Sequence, residues 1–152
     1  MTARDDCEWT EAERAARQAG LGIETHGETL TRQEIEFCEK FLALGHTPEW
    51  IKRRIHFPTN DFIWRDFGNR EFELKTTKAR YLTIHGRIVD AASRAANHGF
   101  VKENFLIDIG DAPLTADLEA DLSGINVGMS QARISQLWVM SQGQLHEIRL
   151  TA

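Results

Sequence analysis

The sequence predicts a mixed α/β sandwich whose elements run helix, three strands, long helix, strand, helix and two strands. Three observations lead there. A capped amphipathic helix precedes two strand-like runs joined by a Gly-Asn turn. A helical stripe over residues 78–98 is followed by the almost continuously apolar Phe105-Leu106-Ile107-Asp108-Ile109. Two alternating runs then flank Ser-Gln-Gly-Gln at the end of the chain. Strands interleaved with helical segments bury their apolar faces under those helices, which gives layered α/β architecture. No internal repeat or low-complexity tract interrupts the pattern.

Each element has a local reason. Residues 1–29 read as an appendage: Glu11-Ala12-Glu13-Arg14-Ala15-Ala16-Arg17-Gln18 forms helix well and closes at Gly20, but carries few large apolar groups. The next helix spans roughly 32–44. Thr31 caps it, Glu34 completes a capping box, and Ile35, Cys38, Phe41 and Leu42 recur at helical spacing before Gly45. From Glu49 to Phe57 two readings compete. Pro48 with Trp50, Arg53 and Arg54 can open a short helix, whereas Ile51, Arg53, Ile55 and Phe57 alternate as in an edge strand, the preferred reading. Pro58-Thr59-Asn60 is turn chemistry. Asp61–Arg65 and Glu71–Lys75 are then the strands of a hairpin around Phe67-Gly68-Asn69-Arg70, with Phe72 and Leu74 on one face and Glu71, Glu73 and Lys75 on the other. In the long helix Ile84, Ile88, Ala91, Ala92 and Ala95 form the buried stripe, and His98-Gly99 ends it. The run 105–109 is a central strand covered on both faces. Thr115 caps a helix through Leu118 and Leu122, and 136–140 with 145–149 form a closing hairpin.

Composition narrows the class. A chain of 152 residues, 41% hydrophobic and 27% charged, is long enough to bury a core without disulfides or a structural metal. No apolar stretch approaches the roughly 20 residues of a membrane span, and the first residues lead into no signal-peptide core, so a soluble chain without a membrane span or export signal is expected. Cys7 and Cys38 form no metal or disulfide pattern. The net charge of −5 argues against a polyanion partner, yet residues 49–104 hold 11 basic and 7 acidic side chains, a net of +4 between acidic flanks. A phosphate-binding face and a merely solvated basic face both account for such an island.

The chemistry-bearing set is Asp61 with Glu73-Leu74-Lys75, joined by Glu34. Across a hairpin, Asp61 and Glu73 can bring two carboxylates together. With the Leu74 backbone carbonyl and waters these are oxygens that a hard cation such as Mg2+ or Mn2+ takes, and Glu34 can complete that shell. Lys75 lies on the same side, placed to assist an attacking water or stabilise charge on a phosphate. An ExK tripeptide alone arises by chance on the order of once in two chains of this length. Its place on the second hairpin strand, after a helix bearing a glutamate and before a long basic helix, makes the set more specific.

Those residues carry a resemblance. Glu34 to Gly45, Asn60-Asp61-Phe62, Glu71 to Lys78, Gly86 to Ala92 and Asn104 to Asp108, in that order, resemble the C-terminal toxin nuclease domains of contact-dependent inhibition proteins (CdiA), within the PD-(D/E)xK phosphodiesterase superfamily. The resemblance covers roughly residues 30–150. It implies a restriction-endonuclease-like mixed sheet flanked by helices in 30–152, and metal-dependent cleavage of a phosphodiester, often with tRNA as substrate. It implies Asp61, Glu73, Lys75 and Glu34 as the catalytic set. It also implies a small immunity protein as partner, and action in the cytoplasm after delivery as part of a secreted toxin. Asn60 stands where the proline of the motif name would be, and Thr83-Ile84-His85-Gly86-Arg87 replaces a glutamine-rich helix start.

Other residues are placed by charge and type. Arg53, Arg54, Lys78, Arg80, His85 and Arg87 are the substrate-binding candidates, with Lys52, Arg65 and Arg70 as further phosphate-positioning groups. The six histidines show no metal-ligand spacing; His85 near a helix start is the one best placed to touch phosphate. Trp50 and Trp64 read first as packing groups and second as base-stacking platforms. Cys38 reads as core. Asp108 ends a central strand, in a turn or supporting role. Two alternatives to a metal-dependent nuclease stand beside it: a catalytically inactive module binding nucleic acid or protein, and a metal-independent ribonuclease using His85.

Overall fold

The structure, a computed structural model, describes residues 8–129 and 133–151. Cys7 and the first residues of the expected appendage lie outside the described residues. The elements are α1 (Glu11–Gly20), α2 (Arg32–Ala43), β1 (Pro48–Trp50), β2 (Phe62–Trp64), β3 (Arg70–Thr76), α3 (Tyr81–Asn97), β4 (Asn104–Asp108), α4 (Ala116–Ser123), β5 (Gln136–Ser141) and β6 (Gln144–Ile148). The strands form one six-stranded sheet in the order β1-β2-β3-β4-β5-β6. β3, β4 and β5 run parallel; the other neighbours pair antiparallel. This is the mixed sheet flanked by helices that the sequence predicts.

Helices cover both faces. On one side α3 and α4 place Ile84, Ile88, Leu118 and Leu122 over Phe105, Ile107, Leu137 and Val139. On the other, α2 sets Ile35, Phe37, Cys38 and Phe41 against Trp50, Phe62, Trp64, Phe72, Leu74 and Leu106. Alternation along β3 and β4 distributes these side chains, because successive residues of a strand point to opposite faces. Parallel pairing forces α3 and the α4 segment to cross over the sheet, and both cross on the same face.

Local chemistry starts and stops the elements where expected. Thr10 and Thr31 each close a capping box, with Glu13 and Glu34 as the returning carboxylates. Thr115 caps α4 through the Leu118 amide. The five-residue hairpin loop between Trp64 and Arg70 ends on Gly68 at φ 68° and Asn69 at φ 54°, residue types that enter the left-handed region readily. α1 itself buries no residue. It is fastened by polar contacts: Arg14 donates to the Leu30 carbonyl at 3.1 Å, Gln18 both donates to the Glu28 carbonyl and accepts from the Leu30 amide, and Arg17 pairs with Glu39. Leu21 and Leu30 enter the α2-side core.

The edge strand expected over 49–57 is present as β1, but it is shorter and begins at Pro48. Strand pairing ends at Trp50, and residues 51–60 form a loop. The reason is burial: Trp50 is fully buried against Phe62, whereas Ile55 and Phe57, which an edge strand would turn toward the core, are 91% and 51% exposed. The stacking alternative for Trp50 and Trp64 is corrected too, since both indoles are core groups, buried to 0% and 2% exposure. Cys38 is core, and burial pushes its thiol pKa up. No helix among the described residues is long and apolar enough to cross a membrane.

Candidate active site

The β2–β3 register builds the site. Phe62 pairs with Phe72 and Ile63 with Glu71, and the ladder ends at Phe62, so Asp61 is the first residue outside it. The Asp61 amide donates at 2.9 Å to the carbonyl of Phe72, the residue already paired with Phe62, so the chain leaves the ladder's register here as at a bulge. Its carboxylate then takes the place of the next ladder acceptor and receives the Leu74 amide at 2.8 Å. In a strand the amide and carbonyl of one residue face the same edge, so the Leu74 carbonyl is directed to the Asp61 side.

Glu73 is 5% exposed and is held from two sides. Lys75, two residues on along the same face, places Nζ 3.1 Å from its Oε2, and Lys102 places Nζ 2.8 Å from Oε1. Lys102 comes from the segment joining α3 to β4. It reaches Glu73 because parallel pairing sets Glu73 beside Phe105. Asp61 feels the opposite field. Burial, and then the negative charge of Glu73, push its pKa up to about 7, with Glu34 adding in the same direction and the Leu74 amide and Lys102 opposing. Two carboxylates and two ammonium groups therefore lie close together, with Glu73 and Lys75 on the α3-side face of the sheet.

Lys102 is the residue that sequence reasoning missed. Its only linear signal is membership of the basic island, just ahead of a central strand.

Of the residues expected here, the structure brings together Asp61, Glu73 and Lys75. Glu34 has other duties: its carboxylate accepts the Thr31 amide as the returning half of the α2 cap, and its Oε2 takes Arg53 at 2.9 Å. Among the described residues, no three His, Cys, Asp or Glu side chains gather closely enough to hold a metal, so the shell with Glu34 as a third carboxylate is not assembled. Arg53 also approaches Glu28 at 3.6 Å, which ties the start of the 51–60 loop to α2 and the segment before it. Lys78, Arg80 and Arg87 are exposed around the first half of α3, and His85 stacks on Tyr81 with ring centroids 5.5 Å apart. His26 and His46 are engaged elsewhere, by Glu49 and Asp66. Asp108 receives both Lys40 contacts, at 2.9 and 3.0 Å, together with the Gly110 amide.

No family model and no curated protein matches the chain. A chain of the CdiA-CT/CdiI toxin and immunity complex from Burkholderia pseudomallei does match in structure, with a TM-score of 0.51. The fold resembles one found in that toxin and immunity complex. The likeness covers 77% of this chain and 82% of the other, at 13% sequence identity. At that identity the CdiA-CT/CdiI likeness is one of backbone architecture: the mixed sheet and its flanking helices.

Proposed function

We propose that the chain is a metal-dependent endonuclease of the PD-(D/E)xK type that hydrolyses phosphodiester bonds in RNA, with tRNA as the favoured substrate. The observation that carries this reading is the Asp61 carboxylate accepting the Leu74 amide at 2.8 Å, close enough to Glu73 to feel its charge, with Lys75 3.1 Å from the Glu73 carboxylate. The order of motifs along the chain and the fold shared with a toxin and immunity complex support it.

Mg2+ or Mn2+ suits these residues, because such ions bind through one or two carboxylates with several waters. Burial, and then the charge of Glu73, raise the Asp61 pKa, and a divalent cation at Asp61 and Glu73 would oppose both. The holders would be those two carboxylates with the Leu74 carbonyl. When bound, the ion supplies an acidified water and positive charge for the phosphate oxygens. Lys75 orients that water or neutralises the charge developing on phosphate. Lys102 holds the Glu73 carboxylate fixed in direction. Glu34 contributes indirectly, by anchoring Arg53 and the loop that leads into Asp61. Arg53, Arg54, Lys78, Arg80, His85 and Arg87 supply phosphate contacts around this centre.

In this reading the chain acts in the cytoplasm of a recipient cell as the delivered part of a toxin, and a small immunity protein neutralises it in the producer. The support is that the structurally similar chain belongs to a toxin and immunity complex.

The test is cleavage of labelled tRNA and of DNA by the purified chain. Cutting with Mg2+ or Mn2+, arrest by chelator, and a loss of at least about a hundredfold in folded Glu73→Ala and Lys75→Ala are expected. Undiminished cleavage in both variants would overturn the site, and persistence in chelator would overturn the metal. A second reading rests on one observation: both Glu73 oxygens are already taken by lysines, as in a site closed by its own cations. An inactive binding module would show salt-sensitive RNA binding without cleavage under any divalent ion.

A further inference from the structure

The 51–60 loop and the C-terminal end of α3 enclose a surface cleft of about 300 Å3, lined by Ile55, His56, Phe57, Pro58, Arg94 and His98. Two of these are large apolar side chains left in water, Ile55 at 91% and Phe57 at 51% exposure. Their surroundings are cationic. The Arg54 guanidinium lies 4.8 Å from the Phe57 ring centroid, and Arg94 stands on the opposite wall with its side chain 76% exposed. No carboxylate is among the lining residues, and Arg94 is ion-paired with Asp90 at 2.7 Å. His98, the C-cap of α3, places Nδ1 3.1 Å from the Arg94 carbonyl.

We propose that this cleft is a nucleotide subsite: an unpaired base stacks on Phe57 beside Ile55, and the adjoining phosphate is taken by Arg54 and Arg94. The proposal rests on the nuclease reading and names the form of its substrate, a single strand. An aromatic ring among cations is the combination that binds unpaired nucleotides, because every base has a face to stack and every linkage a negative charge. A base within a duplex is already stacked and cannot enter such a cleft. A protein partner fits less well, since the cores of protein interfaces are depleted of charge and this cleft has only two large apolar side chains amid cations.

Position supports the assignment. Pro58 lies three residues before Asp61, and His98 four residues before Lys102. Both walls therefore run directly into the candidate active site, within about 14 Å of chain at full extension. A strand seated here has its neighbouring linkages beside Asp61 and Glu73.

The test is fluorescence anisotropy with the full chain in chelator, using a labelled single-stranded RNA, a DNA strand of the same sequence, and the blunt RNA duplex. Both single strands are expected to bind at least about tenfold tighter than the duplex. Phe57→Ala should weaken strand binding roughly tenfold while Phe57→Trp retains it. Arg94→Gln should lower the salt dependence of binding by about one ion. Equal affinity for strand and duplex, unchanged binding in Phe57→Ala, or equal loss in Phe57→Ala and Phe57→Trp would each overturn the subsite. The two readings fail separately. Unchanged strand binding in Phe57→Ala with cleavage intact removes the cleft alone, whereas strand binding of the expected form without cleavage in any divalent ion removes the nuclease alone.

Discussion

Lys102 places its ammonium 2.8 Å from the Glu73 carboxylate across 29 residues of chain, and its side chain is only 10% exposed. The pair joins the segment after α3 to the middle of β3, and with Lys75 it completes the neutralisation of a nearly buried acid. Removing one partner leaves charge in a poorly solvated place. Lys102→Met is expected to destabilise the fold by about 1–3 kcal/mol, with Lys75 still compensating Glu73. In urea unfolding, the double variant with Glu73→Gln should lose less than the sum of the single variants; strict additivity would mean the ammonium and carboxylate do not interact.

Asp61 makes the stability of the metal-free chain depend on pH. Its folded pKa of about 7 lies above the ordinary aspartate value of 3.8, so the folded state keeps a proton that the unfolded state has released. The contribution is fully present below about pH 4 and is lost as pH rises to about 7, amounting to a few kcal/mol at most. Asp61→Asn removes this dependence. Chemical unfolding at pH 4.5 and 7.5 reads it as a smaller stability difference in the variant; an equal difference in both proteins would show that Asp61 titrates normally.

The closing turn offers a stabilising substitution. Gln142 sits at φ 53° and Gly143 at φ 74°, a left-handed pair joining β5 to β6. Glutamine is poorly suited to that region and asparagine is well suited. Gln142→Asn should add about 0.5–1 kcal/mol, visible as a raised melting temperature. A lowered one would mean that Gln142 makes a contact worth more than its backbone strain.

Two apolar side chains close in sequence should respond oppositely. Phe62 is fully buried, with ring centroids 5.8 Å from Phe72 and 5.4 Å from Phe37. Phe62→Ala is expected to cost about 3–5 kcal/mol. Ile55, at 91% exposure, should change stability by no more than about 0.5 kcal/mol on replacement by alanine. Comparable losses in the two variants would place Ile55 in a packed environment.

What was legible in the sequence was governed by neighbours a few residues apart. Thr31 and Glu34 state a helix start, Gly68-Asn69 states a turn, and the period of two over 71–75 places Glu73 and Lys75 on one face. Over 51–57 the local alternation of Ile51, Arg53, Ile55 and Phe57 suggests a strand, while the deciding fact is that Trp50 fills the space under α2. Nothing in the local alternation reports how much room the core has left.

The sequence by itself determined the order of elements, the hairpin that brings Asp61 near Glu73, and the side of the sheet on which Lys75 emerges. Capping, turn chemistry and strand periodicity act over a few residues and are written in them. Tertiary structure alone decided that Lys102 reaches Glu73 and that Phe57 stands in a basic cleft beside α3. Those contacts depend on the parallel register of β3 with β4 and on the crossover of α3, which are set by packing between residues distant in the chain.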